Sequence, residues 1–141
     1  MPMSKKTVLF GVLGVIVGLA VGMAWNMGLV GLNMAVHPPL EGFDWSNPTL
    51  LEEYMASMPV LGFLIVLLAH SGQAFFGSLV GTLISGRRSM IVGMIIGALT
   101  LVGCVFNLQT IPAPTWFAVV DVALPIPVAY LAFRLLRKTD E

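Results

Sequence analysis

Charged residues are what this sequence has least of. They make up 10% of the 141 residues, whereas apolar residues make up 57%. A soluble domain carries about 25% charged residues, so this composition excludes a soluble globular protein. The formal net charge is zero and no basic cluster stands out, which excludes a nucleic-acid-binding surface. We therefore predict a protein that lies in a membrane, with lipids as its surroundings.

Cysteine and histidine are also scarce. The single cysteine, Cys104, excludes an internal disulfide and the redox chemistry of cysteine pairs. Two histidines and one cysteine cannot complete a four-ligand zinc site without carboxylates. The sequence therefore predicts no metal site and no cofactor, and Cys104 is expected to be a small packing residue in the third apolar run.

Motifs of the common catalytic classes are absent as well. A Gly-x-Ser-x-Gly elbow and a nucleotide-binding loop are both missing. An intramembrane aspartyl protease needs two facing carboxylates, and only Asp121 lies within an apolar run. We therefore expect a protein without enzymatic activity. One alternative is a membrane enzyme that uses His70 and Asp121 as an acid–base pair on a lipophilic substrate.

The basic residues that are present stand only at the ends of apolar runs. They precede the first run, separate the second from the third and follow the fourth: Lys5, Lys6, Arg87, Arg88, Arg134, Arg137 and Lys138. The long connection on the other side carries four of the seven acids: Glu41, Asp44, Glu52 and Glu53. Cytoplasmic loops carry the excess of Lys and Arg. The pattern predicts an all-α integral membrane four-helix bundle with both termini cytoplasmic (N-in/C-in).

The predicted bundle is one transmembrane domain over residues 1–141. The spans are expected at about 7–30, 59–85, 90–108 and 116–136, since a span needs about 20 apolar residues. Apolar character continues to Val36, so the first run is predicted to be a retained helix rather than a cleaved signal. An outer loop and a short outer-surface helix are expected over 37–58. This helix begins either at Asn47-Pro48 or at a Thr49-x-x-Glu52 capping box.

Small residues recur every four positions in three of the spans. Such rows let helix backbones approach closely in lipid. They predict helix-packing contacts for Gly14, Gly18, Gly22, Gly77, Gly81, Gly93 and Gly97. Because a four-helix bundle cannot use every face internally, we also predict a homo-oligomer. A second hypothesis for function follows, in which the chain is a non-catalytic accessory or assembly subunit of a membrane complex.

Polar residues concentrate in the outer half of the spans. An ionisable residue inside a span is costly and points to function. His70 and Asp121 are two such residues, and the amides of Asn26, Gln73 and Asn107 lie at similar depth. The sequence predicts a polar pocket between helices that opens outward. Our leading hypothesis is a small transport, channel or solute-binding protein for a small solute or ion. The alternative is that these groups only join the helices.

Asp121 has a further peculiarity, because Pro125 follows it by four residues. The missing proline N–H leaves the Asp121 carbonyl without its helical partner, so the fourth span is expected to break or kink there. A carboxylate facing lipid costs at least about 2.5 kcal/mol at depth. We therefore predict that Asp121 faces the bundle interior, close to His70 or Asn107.

One stretch of the chain resembles a known group of proteins. The elements are Ala69-His70 with Gly77 and Gly81, then Pro112-Ala113-Pro114-Thr115-Trp116-Phe117, then Asp121. They resemble small bacterial four-span membrane proteins of no known activity, over roughly residues 60–134. The resemblance implies a multi-pass protein of the bacterial inner (cytoplasmic) membrane. It implies nothing about a substrate.

Overall fold

The computed structural model describes residues 5–86 and 90–138, and this part of the chain is helical with short connections. The helices are α1 (Lys5–Val36), α2 (Pro48–Ser57), α3 (Val60–Ile84), α4 (Met90–Thr110), α5 (Thr115–Ala123) and α6 (Pro125–Lys138). Four helical stretches are long and apolar enough to cross a membrane: α1, α3, α4, and α5 with α6 over Thr115–Arg137. The all-α class and four candidate spans are confirmed. The N-in/C-in topology stays a prediction, and Arg87, Arg88 and both extreme termini lie outside the described residues.

The first helix is longer than predicted. It continues to Val36 and stops before Pro38 and Pro39, neither of which has an N–H to donate. Its 32 residues correspond to a length of about 48 Å, against about 30 Å for a bilayer core. A helix of this length exceeds a bilayer core, so it is expected to tilt or to project beyond it.

The short helix α2 begins with the first of the two predicted start signals. The side chain of Asn47 accepts hydrogen bonds from the backbone N–H of Thr49 (3.0 Å) and of Leu50 (3.4 Å), and Pro48 occupies the first helical position. Such a cap satisfies donors that the first turn leaves without partners. The helix ends before Pro59, after which α3 begins. We call this end of the bundle, with α2 and the 37–47 and 111–114 connections, the α2 end.

Helix α3 is the central element of the described chain. It contacts α1, α4, α5 and α6, whereas α1 contacts only α3 and α4. Helices α1 and α3 run antiparallel through paired small residues. A Cβ atom on Gly18 would lie 2.5 Å from the carbonyl oxygen of Gly77, and one on Gly14 would lie 2.5 Å from that of Gly81. The two backbones can approach this closely only because these residues have no side chain.

The remaining glycines of the predicted set also contact helices of the same chain. A Cβ atom on Gly22 would meet the Gln73 carbonyl oxygen at 2.6 Å, and one on Gly97 would meet the Ala129 Cβ at 2.6 Å. Gly93 faces the hydroxyl of Thr82. Because all these faces are used within one chain, they give no argument for a second copy. The homo-oligomer therefore stays a prediction without support from the glycine rows.

The fourth span is broken where Pro125 predicts it. Helix α5 ends at Ala123, Leu124 forms a bend, and α6 begins at Pro125. Pro125 is fully buried. The break therefore faces protein, where carbonyl groups released from the helix are tolerated at membrane depth.

Candidate functional site

Asp121 lies in the interior of the bundle, where the cost of a lipid-facing carboxylate predicts it. It is 1% exposed, and its Oδ1 lies 2.7 Å from Nδ1 of His70. The predicted neighbourhood is confirmed, and the partner is the histidine. The contact joins α3 to the last turn of α5. A buried polar pair of this kind ties the two helices together in a fixed register, because either partner alone would be left unsatisfied.

The other nitrogen of His70 points to helix α4. Nε2 lies 3.4 Å from the side-chain nitrogen of Asn107. His70 thus has Asp121 on its Nδ1 side and an amide on its Nε2 side. The imidazole connects a fully buried carboxylate to a residue that is itself exposed.

Cys104 also belongs to this cluster, which the sequence did not predict. Its Sγ lies 3.5 Å from Nδ1 of His70, and it is 2% exposed. One ligand-type atom each from His70, Cys104 and Asp121 lie within 4.8 Å of one another. A nucleophilic triad needs the nucleophile and the acid on opposite nitrogens of the histidine. Here both face Nδ1, so the arrangement is not that of a cysteine hydrolase.

The other two predicted polar residues form a separate pair. The side chain of Asn26 on α1 donates a hydrogen bond to the Oε1 atom of Gln73 on α3. Both residues are buried, and the side-chain oxygen of Asn26, Oδ1, has no hydrogen-bond partner among the described residues. The pair lies one helical turn from His70 along α3. The five predicted residues are thus arranged as a pair and a triad rather than as one network.

A cavity of about 360 Å³ brings the two groups together. Its wall combines amide, imidazole, hydroxyl and thiol groups with methionine side chains, from Met23, Asn26, Met27, His70, Gln73, Thr100, Gly103, Cys104, Phe106 and Asn107. Four of the five predicted site residues line it. Asp121 does not, and it is separated from the cavity by His70.

A second cavity, of about 280 Å³, extends from this one toward the α2 end. The two share Asn26, Met27, His70 and Asn107 in their walls. The second is mostly apolar, and four methionines contribute to it: Met27, Met34, Met55 and Met58. Trp45 and Tyr54 lie in its outer part. We call this second cavity the vestibule, because it joins the polar cavity to the α2 end.

Tyr54 holds the α2 end of the vestibule in place. Its hydroxyl donates to the backbone oxygen of His37 over 2.6 Å, and burial raises the pKa of this phenol. Its ring packs against Phe43 and Trp45. The 37–47 connection is therefore fastened to α2 at the mouth of the vestibule.

Among the described residues of the other half of the bundle, the buried polar side chains carry hydroxyl groups. Ser78 donates to the carbonyl oxygen of Gly93 over 2.9 Å, which joins α3 to α4. Thr82 and Thr100 are also buried, and only Thr100 lines the polar cavity. Close glycine contacts between α1 and α3 fill the same half. The polar cavity, the vestibule and a third cavity of about 330 Å³ at the α2 end have none of these glycines in their walls.

No family model matches the chain, and neither the curated proteins nor the solved structures contain a significantly similar chain.

Proposed function

We propose that this chain is a small multi-pass membrane protein, N-in and C-in, that binds a small solute or ion in the polar cavity and exchanges it through the vestibule with the outer side. The basic residues at the terminal end of the bundle support this orientation. In this orientation the α2 end faces the outer side, so the vestibule opens toward that side. The resemblance noted above supports the bacterial inner membrane as its location.

The observation that carries this proposal is the composition of the cavity wall. Asn26, Gln73, His70 and Asn107 come from three helices and present both donors and acceptors to one space. Binding pockets have volumes of about 300–1,000 Å³ and a few convergent polar groups in an apolar lining. A space of about 360 Å³ corresponds to about twelve water molecules at ~30 Å³ each. It therefore fits an ion with part of its hydration shell, or a small organic solute.

The broken fourth span favours binding with exchange over a purely structural role. Transporters place their sites beside interrupted helices, because a break frees backbone groups and allows one half-helix to move. Asp121 precedes such a break, at Leu124, by three residues. A solute that contacts His70 thus acts on a residue that touches α5 close to the hinge. A continuous channel is less consistent with the bundle, since the walls of the polar cavity and the vestibule include none of the close-packed glycines of α1 and α3.

Filling the cavity tests this proposal. A Cβ atom on Gly103 would meet nothing within 4 Å, and Gly103 lines the cavity, so Gly103→Leu should occupy it without a clash. Gly28 also has open space but lines none of the three cavities, so Gly28→Leu is the matched control. The readout is thermal stabilisation of purified protein by a panel of alkali and divalent metal chlorides, amino acids and sugars. Saturation at 100 Kd stabilises by about 2.7 kcal/mol.

The same compound should raise the melting temperatures of the parent and of Gly28→Leu. Gly103→Leu should lose most of this increase in melting temperature. An equal shift in Gly103→Leu would contradict binding in the polar cavity. So would a parent protein that nothing in the panel stabilises.

A further inference from the structure

Three different ligand-type atoms converge at the inner wall of the polar cavity. They are Nδ1 of His70, Sγ of Cys104 and a carboxylate oxygen of Asp121, and they come from α3, α4 and α5. All three residues are at least nine-tenths buried. Imidazole, thiolate and carboxylate are the three ligand types that zinc accepts in proteins. The three atoms can meet only because each of the three helices turns the face that carries its ligand residue toward the same point.

The distances agree with a shared metal ion. For zinc–sulfur and zinc–nitrogen bonds of about 2.3 and 2.05 Å, a tetrahedral angle separates the two ligand atoms by about 3.5 Å. The separation of Cys104 Sγ and His70 Nδ1 is 3.5 Å. The His70–Asp121 separation of 2.7 Å is that of a hydrogen bond. A metal ion would replace the proton between these two atoms. The carboxylate oxygen would then move away from Nδ1 by about 0.6 Å, to the separation of two ligand atoms that bind the same tetrahedral ion.

A second observation points to a ligand that carries positive charge. Oδ2 of Asp121 is buried and has no hydrogen-bond partner in the described part of the chain. An unpaired buried carboxylate oxygen is costly, and a cation bound by both oxygens of the Asp121 carboxylate would satisfy it. With Cys104 as thiolate, Asp121 ionised and His70 neutral, a divalent cation brings the sum of charges to zero. Charge neutrality is what a site in an apolar bundle requires.

Asn107 is placed to support such a site from behind the histidine. A metal-bound histidine donates its other N–H to an oxygen, which sets its orientation. With Nδ1 on the metal, Nε2 carries the proton and faces the Asn107 amide. Rotation of the Asn107 amide by 180° places its Oδ1 opposite Nε2. This rotation is allowed because the oxygen and nitrogen of an amide are assigned from the hydrogen bonds they make.

We infer that His70, Cys104 and Asp121 form a three-ligand site for a divalent transition-metal ion, with Zn²⁺ as the ion whose ligand preference and charge fit. The inference rests on the proposed function, because it names the class of ion that the polar cavity takes. Cys104 and His70 line the cavity, so the fourth coordination position opens to it. The cavity water receives the proton that the thiol loses on binding.

Cobalt substitution tests the site in the purified full-length protein. Co²⁺ takes the same ligands as zinc, and a thiolate ligand gives it an intense charge-transfer absorption. We expect one Co²⁺ per chain, with this absorption, and its loss when Zn²⁺ is added. Because Cys104 is the sole cysteine, Cys104→Ser must abolish the thiolate absorption and weaken Zn²⁺ binding by more than about tenfold.

Two further variants separate a binding effect from a folding effect. Asp121→Asn preserves side-chain volume and should also weaken Zn²⁺ binding by more than about tenfold. His37→Ala removes the other histidine, which lies in the connection at the α2 end, and should bind as the parent does. Helix content by circular dichroism and elution in size-exclusion chromatography must match the parent in each variant.

The inference is overturned if folded parent protein shows no thiolate-to-cobalt absorption at saturating Co²⁺. Loss of binding in His37→Ala, or unchanged Zn²⁺ affinity in Asp121→Asn, would also overturn it. Binding of Cu⁺ without binding of Co²⁺ or Zn²⁺ would overturn the assignment to a divalent ion. Failure of the metal site can be distinguished from failure of the proposed function. If Zn²⁺ does not bind but Gly103→Leu still removes the stabilisation by another solute, the metal site is wrong and the proposed function stands.

Discussion

Nδ1 of His70 lies 2.7 Å from Oδ1 of Asp121, and both residues are buried where α3 meets the end of α5. This contact places the one fully buried carboxylate of the described chain behind the residue that faces the polar cavity. A ligand that binds His70 from the cavity therefore acts on Asp121 through the imidazole ring. The contact links the polar cavity to the break in the fourth span.

Asp121→Asn should leave the bundle folded but remove solute binding. The amide keeps an oxygen that can accept from His70 Nδ1, whereas Asp121→Leu leaves this donor buried without a partner at a cost of about 1–3 kcal/mol. We expect a melting temperature near that of the parent for the Asn variant and a lower one for the Leu variant. Solute-dependent stabilisation should be lost in both. Asp44→Asn, in the 37–47 connection, is the control, and full solute binding by Asp121→Asn would refute a role for the carboxylate.

Gly18→Ala should destabilise the bundle far more than Gly28→Ala. A Cβ atom on Gly18 would lie 2.5 Å from the Gly77 carbonyl oxygen and 2.6 Å from a methyl group of Ile96, whereas one on Gly28 would meet nothing within 4 Å. Overpacking costs about 1–3 kcal/mol, and alanine in an open helical position gains up to about 1 kcal/mol over glycine. Unfolding in mixed detergent and denaturant measures the difference. Equal stability of the two variants would show that α1 does not pack on α3 in this register.

Leucine substitutions in the glycine rows test association. The glycine rows predicted an oligomer, but in the structure these faces are used between helices of one chain. Gly18→Leu or Gly81→Leu should therefore disrupt the fold of the single chain before it affects assembly. Sedimentation of the detergent complex, with circular dichroism on the same samples, separates the two effects. A folded variant that differs from the parent only in its oligomeric state would restore the original prediction.

Asp44 should titrate below its ordinary range. Its Oδ1 accepts hydrogen bonds from the Ser46 hydroxyl (2.7 Å) and the Ser46 backbone N–H (2.9 Å), which lower its pKa from 3.8. Because the folded pKa is depressed, the turn is stabilised above pH ~3.9 and loses this stabilisation as the pH falls through the folded pKa. Ser46→Ala removes the hydroxyl and should raise the pKa of Asp44 toward 3.8, as measured by NMR titration of the carboxyl. An unchanged pKa would show that the turn does not form.

Much of the fold was predictable because its signals are local. Runs of apolar residues bounded by charge predicted the spans, Asn47-Pro48 was one of two predicted starts of α2, and the spacing of Asp121 and Pro125 predicted the break. The interior position of Asp121 followed from the cost of a charge in lipid alone.

The details of the site were not predictable in the same way. Apolar residues surround these helices on nearly all sides, so the sequence does not specify which face of one helix meets which face of another. The choice of His70 over Asn107 as the partner of Asp121 depends on those rotations. The approach of Cys104 to the same nitrogen depends on them as well, because the three residues are 34 and 17 positions apart and lie on three helices.

Access to the polar cavity from the outer side is the central claim, and thiol labelling of intact cells measures it most directly. In a Cys104→Ser background, Asn107→Cys would face the cavity, whereas Val105→Cys, at nearly the same depth, is exposed on the outside of the bundle and lines none of the three cavities. Ser46→Cys and Thr139→Cys serve as references for the two sides; Thr139 lies outside the described residues.

A membrane-impermeant thiol reagent should label Ser46→Cys fully, Asn107→Cys measurably, and Val105→Cys and Thr139→Cys not at all. Labelling of Thr139→Cys with protection of Ser46→Cys would reverse the topology, and an unreactive Asn107→Cys beside a reactive Ser46→Cys would contradict an outward-facing cavity.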